Sequence, residues 1–304
     1  MRVLLVGQAA FAEQVLRSLE EAGDVIAAVI CPPDAGSKLD PLKAAAVERG
    51  VPVHQFRSLK LPEARRAFEA AAADLAVLAY VTQIVPEPLL AIPRLTSICF
   101  HPSLLPRYRG GSAIAWQLIR GETRTGVTVF WPDAGIDTGP ILLQREAVIG
   151  PDDTAGTLYY RTLFPLGVEV VLDAVALVRA GRAPRLPQDE TQATYDPLCS
   201  DTHGAIDWTR PASEVHNLIR GCDPQPGAYT TWRGSRVRFY EPHQVAGAAA
   251  APGIVMAVDA EGLTIATGDA AVRCARARNG GQKGPAAEIA LAIGLEPGGR
   301  LGSD

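Results

Sequence analysis

Short apolar runs alternate with longer stretches of helical spacing through the first half of this chain. Val3 to Val6 has the continuous apolar pattern of a buried strand and is closed by Gly7. Residues 9–22 follow with Phe11, Val15, Leu16 and Leu19 near the spacing of one helix face. The pattern then predicts a strand from Val25 to Ile30, stopped by Pro32-Pro33, a helix over 41–49 and a strand over 51–56. An Ala/Glu/Arg helix follows over 62–72, and a fourth strand from Leu75 to Tyr80. Ser97 to Phe100 reads as a fifth strand and delivers His101 to its end. Beyond it come a helix over 112–120, strands from Val127 to Trp131 and from Ile141 to Ile149, and one long helix from Thr154, its cap, to Ala180. Strand–helix alternation of this kind predicts an α/β architecture with a mostly parallel sheet and right-handed crossovers.

The texture changes after that helix. Residues 187–204 are rich in Pro, Gln and Asp with little periodicity and read as a linker between a domain over 1–186 and one over 205–304. The later segment opens with a helix over 211–220. It then breaks into short runs ended by Gly227, Arg233-Gly234, Pro252-Gly253, Glu261-Gly262 and Gly268-Asp269, the spacing of a small β-barrel or sandwich. The only low-complexity tract is the Ala-rich loop 246–251.

Composition narrows the classes. A chain of 304 residues that is 47% hydrophobic and 20% charged is expected to bury a substantial core and be soluble. Its net charge of −4 argues against a surface built for polyanions. The cysteines at 31, 99, 199, 222 and 274 are scattered with no C-x-x-C, which fits reduced thiols in the cytoplasm. The opening Met-Arg-Val-Leu-Leu-Val-Gly is too short an apolar run for a signal peptide, and no run is long enough for a membrane span.

The candidate chemistry lies between His101 and Gly139. His101 ends a strand, and Pro102 behind it bars its backbone from the helical region. Leu104-Leu105-Pro106 and Gly110-Gly111 make a constrained loop of the type that fixes a side chain in a crevice. Asp133 and Asp137 both fall in the turn-rich stretch after another strand, and their context does not separate them. An imidazole and a carboxylate at strand ends suggest acid–base or oxyanion chemistry. His, Cys and carboxylates show no metal-ligand spacing, so no metal is expected. Gly7-Gln8-Ala9-Ala10-Phe11 lacks the further glycines of a dinucleotide loop, so Gly7 is assigned to the tight strand-to-helix turn. Cys99 shares the face of His101 on a strand, but alternate residues lie about 6.6 Å apart, too far for a Cys–His nucleophile.

His101-Pro-Ser-Leu-Leu-Pro106 through Gly110, with Asp137-Thr-Gly139, resembles the 10-formyltetrahydrofolate-dependent formyltransferase family. Gln83-Ile-Val-Pro86, Ser112-Ala-Ile-Ala-Trp116, Asp152-Asp-Thr154, His216-Asn-Leu-Ile-Arg220 and Pro226-Gly-Ala-Tyr-Thr230 extend the likeness over nearly the whole chain. It is nearest to the branch formed by the amino-terminal hydrolase domain of 10-formyltetrahydrofolate dehydrogenase, and it is also similar to the methionyl-tRNA formyltransferases. The resemblance implies a Rossmann-like domain followed by an OB-type β-barrel, with 10-formyltetrahydrofolate as co-substrate, tetrahydrofolate as product and no metal. It implies catalytic roles for His101 and Asp137, and so selects Asp137 over Asp133. Folate contacts would come from Tyr80, Gln83, Ile84 and Val85, from Ser103, Leu104, Leu105, Pro106 and Gly110, and from Asp133, Ala134, Gly135 and Ile136. Cys99 stands where most of these transferases carry an Asn that stabilises the oxyanion, and a thiol is a weak donor. That substitution, shared with the hydrolase branch, makes Cys99 the third catalytic candidate and leaves the acceptor open among a small amine, a carrier-bound group and water; a non-catalytic folate-binding module is the alternative of another class. The relatives that formylate tRNA carry a basic insertion matching residues 31–43. Here that segment has two lysines against two aspartates, and residues 205–304 carry ten Arg/Lys against ten Asp/Glu, which argues against tRNA as partner.

Overall fold

The computed structural model describes residues 1–34, 36, 39–247 and 250–302. Part of the segment 31–43 and part of the Ala-rich loop 246–251 thus lie outside the described residues. The chain forms two compact units, one made of residues 1–110, 126–147 and 162–195, the other of 111–125, 148–161 and 196 onward.

In the first unit β1 (Arg2–Gly7), α1 (Ala9–Glu21), β2 (Val25–Cys31), α2 (Pro41–Glu48), β3 (Val53–Gln55), α3 (Pro62–Ala71), β4 (Leu75–Ala79), α4 (Glu87–Leu90) and β5 (Ser97–His101) follow the predicted alternation. After α5 (Ala113–Ile119) come β6 (Arg124–Phe130) and β7 (Ile141–Val148). The sheet runs β3-β2-β1-β4-β5-β6-β7. β1 to β5 pair in parallel, whereas β6 is antiparallel to β5. Its strand order reverses direction at β1 and β4, the place where open α/β sheets form their ligand crevice.

A Cβ on Gly7 would stand 2.0 Å from the Ala79 carbonyl oxygen, so the β1 and β4 backbones close on each other only with glycine there. On one face of the sheet Phe11 stacks on Phe100 with ring centroids 4.4 Å apart and meets Phe164 edge-on at 5.5 Å. On the other face Leu4, Ile30, Leu78 and Phe68 form the core under α3.

The single helix expected from Thr154 to Ala180 is broken. It consists of α6 (Ala155–Leu158), a wider π turn over Tyr159–Leu163, and α7 (Phe164–Arg179). Pro165 lies in the first turn of α7 and has no N–H for a helical bond to the turn before it, so the continuous ladder is interrupted there. Thr154 caps α6 as expected, in a reciprocal capping box with Thr157.

The second unit contains α8 (Ala212–Gly221), β8 (Ala228–Trp232), β9 (Ser235–Val245), β10 (Val255–Asp259), β11 (Gly262–Ala266), β12 (Ala271–Arg278), β13 (Gly284–Pro285) and α9 (Ala286–Ala292). The short strands form an antiparallel sheet in the order β10-β11-β12-β9-β8, with β13 on β12. Val215 and Ile219 of α8 join Phe239, Ile265, Val272 and Trp208 in its core. Gly221 lets α8 approach α5: a Cβ there would meet the Ala115 carbonyl oxygen at 2.8 Å. Among the described residues no helix is long and apolar enough to cross a membrane.

Candidate active site

β5 carries His101 to the carboxyl edge of the sheet, where it is 6% exposed. Its Nε2 lies 2.7 Å from the Tyr108 carbonyl oxygen. A carbonyl oxygen only accepts, so Nε2 carries a proton and Nδ1 is the ring atom free to exchange one. Nδ1 faces Asp137 Oδ2 at 3.4 Å. The imidazole is thus clamped on one side by backbone and on the other by a carboxylate.

The loop after β5 is built to hold that backbone clamp. Ser103 gives its hydroxyl proton to the Arg107 carbonyl at 2.7 Å and is fully buried. Thr128 on β6 donates to the Ser103 carbonyl and accepts from Leu105 N–H, and Gln144 on β7 donates to the Leu105 carbonyl. The Leu105–Pro106 peptide is cis, Leu105 is buried, and the Leu104 side chain packs where Gly126 has no Cβ. These residues shape the turn that brings Tyr108 and Gly110 to the histidine and its partner.

Asp137 is fixed as firmly. It sits at φ +56, in the left-handed region that Asp tolerates better than most residues. Its Oδ2 accepts the Gly110 N–H at 2.8 Å, and its carbonyl accepts from Gln188. Asp133 does something different. Its Oδ1 accepts from Gly135 N–H and the Thr138 hydroxyl, the pattern of an Asx turn that shapes the loop. Geometry therefore separates the two carboxylates: Asp137 meets the imidazole, and Asp133 closes its own turn. Ala134, Gly135 and Ile136 are exposed on that loop.

Cys99 is half-buried beside them, its Sγ 3.7 Å from the Phe100 carbonyl oxygen. Burial, and after it the Asp137 charge, pushes the thiol well above its usual range, so it stays S–H rather than a nucleophilic thiolate. The neighbouring loop past β4 presents Tyr80, at φ +61 and 45% exposed, and Ile84, also exposed. Gln83 donates to the Phe56 carbonyl, while Val85 is buried in the core.

Three residues that hold the site were not singled out from the sequence. Arg109 is buried and binds Gln188 Oε1 and both carboxylate oxygens of Glu190. Gln188 in turn donates to the Asp137 and Gly139 carbonyls. Arg109 and the 188–190 segment thereby tie the loop after His101 to the loop that carries Asp137. Strand-end patterning carries no signal for such partners, because they lie about eighty residues apart in the chain, 81 for Arg109 and Glu190. Among the described residues, no group of three or more His, Cys, Asp or Glu is placed to hold a metal ion.

Residues 1–175 match the family model described as formyl transferase, and residues 199–291 match that of the formyl transferase C-terminal domain. The cytosolic 10-formyltetrahydrofolate dehydrogenase of Mus musculus is 43% identical over 245 residues, which are 79% of this chain and 27% of the relative. The chain thus spans about a quarter of the length of those dehydrogenases. The methionyl-tRNA formyltransferase of Geobacter sulfurreducens is 39% identical over 309 residues, covering 99% of this chain and 97% of the relative. Among solved structures, HypX from Aquifex aeolicus in complex with tetrahydrofolic acid superposes with a TM-score of 0.72 at 20% identity, covering 96% of this chain and 47% of that one. The sugar 3N-formyl transferase WlaRD gives 0.70 at 17% identity over 93% of this chain and 98% of that one. At such identities these structures speak to the fold alone.

Proposed function

This chain belongs to the formyl transferase family, and from that premise we propose that it takes the formyl group from 10-formyltetrahydrofolate at His101 and Asp137 and passes it to a small amine or a carrier-bound group. The observation that carries the assignment is the buried imidazole held 3.4 Å from a carboxylate whose own position is set by a backbone N–H. The acceptor's lone pair attacks the formyl carbon, and the carbonyl oxygen becomes an oxyanion. In its doubly protonated form the ring keeps the Nε2–H on the Tyr108 carbonyl and donates its second proton, on Nδ1, to that oxyanion as a hydrogen bond. Asp137 orients the imidazole and relays the acceptor's proton. Collapse of the intermediate breaks the bond to folate N10, which takes that proton, and releases tetrahydrofolate. The loops at 80–84 and 133–136 are the proposed folate contacts, with Val85 buried beneath the first of them and Ser103, Leu104, Leu105, Pro106 and Gly110 shaping the floor.

Two other acceptors have observations in their favour. Water is supported by the likeness to the dehydrogenases and by Cys99, whose protonated thiol is a poor oxyanion donor; loss of one such donor costs about 10²–10³ in rate. Methionyl-tRNA is supported by the match over nearly the full length of a methionyl-tRNA formyltransferase, and opposed by the balance of ten basic and ten acidic residues beyond position 204. Tetrahydrofolate release measured with no acceptor, with a panel of amines and with methionyl-tRNA separates the three. Amine-stimulated release with a formylated amine as product supports the proposal. Equal release in all three samples transfers the assignment to a hydrolase, and stimulation by the charged tRNA alone transfers it to tRNA formylation. Folate binding with no release in any sample leaves only a binding module.

A further inference from the structure

Strands β1 to β4 end around an open cleft whose empty space, its solvent-facing part included, is about 260 Å³. Val6, Ile30, Phe56, Leu59 and Val81 make it largely apolar, and the Tyr80–Gln83 loop after β4 forms part of its lining. Strand register places it next to the site. Gly7 pairs with Ala79 and Leu78 with Cys99, so Gly7, Ala79 and Phe100 lie in one row across β1, β4 and β5, one residue short of His101. With strands about 4.8 Å apart, the cleft begins roughly 5 Å from β5 and reaches β2 at roughly 14 Å. A molecule with its nucleophile at His101 reaches the cleft with a side group of a few bonds.

The charges around the cleft sort its occupants. Among the described residues no lysine or arginine lines it. Lys43, on the α2 side, is already engaged by Asp34 and by Gln55. The first N–H of α1, on Ala9, is where α/β proteins take a ligand's phosphate. Here it donates to Asp40 Oδ2 at 2.8 Å, so a fixed carboxylate stands in the anion's place. Cys31 at the cleft floor is pushed up to about 11 by burial and then by Asp40 and Asp34, and remains a neutral thiol.

We propose that this cleft is the specificity pocket for the formyl acceptor, taking an uncharged, apolar side group and excluding phosphate and carboxylate. The proposal rests on the formyl-transfer assignment above.

The test supplies the full chain with 10-formyltetrahydrofolate and one of three amines: leucine methyl ester, serine methyl ester or an aminosugar phosphate. Tetrahydrofolate release and the N-formyl product are both measured. The leucine ester is expected to exceed the serine ester by about tenfold or more in kcat/KM, the usual worth of a filled apolar pocket, and the aminosugar phosphate to be the poorest. Leu59→Glu should erase the leucine preference. Asp40→Asn keeps a good cap for α2 and so keeps the fold, and it should raise the aminosugar phosphate several-fold. The proposal is overturned if the phosphorylated amine is preferred, if the two esters react alike, or if folded Leu59→Glu or Asp40→Asn leaves the ranking untouched. Tetrahydrofolate release with no formylated amine overturns the pocket but not the folate chemistry. No release at all removes the formyl-transfer assignment itself, and the pocket with it.

Discussion

Two buried histidines, one in each unit, differ in what surrounds the ring. His101 is 6% exposed and has a carbonyl oxygen on Nε2 and a carboxylate facing Nδ1. His216, on α8, is 2% exposed, and neither ring nitrogen has a hydrogen-bond partner among the described residues. Asp152 Oδ1 stands 3.6 Å from its Nε2. Burial first, and then the Arg220 guanidinium, hold His216 below the ordinary histidine value, while Asp152 offsets part of this. Both rings sit in family-like sequence phrases and both are buried. Only in the first do both nitrogens face groups that are themselves held in place, which is what the proposed proton transfer requires.

The sharpest way to break this contrast is to exchange the losses. His101→Asn should lower kcat by about 10²–10⁴ with little change in folding, whereas His216→Gln should leave turnover at the wild-type level and be felt in stability. Matched losses of activity in both variants would erase the distinction. Arg109→Met comes next. It removes the clamp on Gln188 and Glu190, so the 133–139 loop loosens; kcat/KM should drop by about 10–10², and stability by about 1–3 kcal/mol. Arg109→Lys should recover little, since an ammonium cannot span both partners. An Arg109→Met enzyme with wild-type kcat/KM would show that the brace is not needed.

The smallest effect is a pH slope. His216 titrates lower folded than in the unfolded chain, where its value is near 6.5. Its contribution to stability is therefore present above about 6.5 and lost as pH falls through the folded value, because the unfolded chain takes up the proton first. Denaturant unfolding of wild type should weaken in that window by up to about 1.4 kcal/mol per pH unit, and His216→Gln should flatten the slope. Parallel pH profiles for the two proteins would contradict the assignment.

Much of this was legible in the sequence. Buried parallel strands leave continuous apolar runs, so β1, β2, β4 and β5 lie where the runs are, and strand ends followed by Pro and Gly pointed at His101 and the 133–139 loop. Gly7 was assigned to the strand-to-helix turn, but what demands a glycine there is the Ala79 carbonyl of β4, a contact with no local signal. What stayed hidden depends on tertiary contact. Nothing local marks Tyr108 as the residue whose carbonyl holds the imidazole, or Arg109 and Gln188 as braces. Asp133 and Asp137 look alike in sequence because the difference between them is a backbone N–H from Gly110, 27 residues away. The π turn before α7 did leave a signal in Pro165, which the strong helical periodicity on either side outweighed. Asp40 over the start of α1 spans 31 residues and has no local pattern at all.

The central claim is that Asp137, rather than its loop neighbour Asp133, works with His101 on the formyl group. Tetrahydrofolate release from 10-formyltetrahydrofolate by wild type, Asp137→Asn and Asp133→Asn, measured side by side at saturating folate, tests it most directly. Asp137→Asn should lose about 10² or more in kcat, and Asp133→Asn should change only a few-fold. Wild-type turnover in Asp137→Asn, or an equal loss in Asp133→Asn, would contradict it.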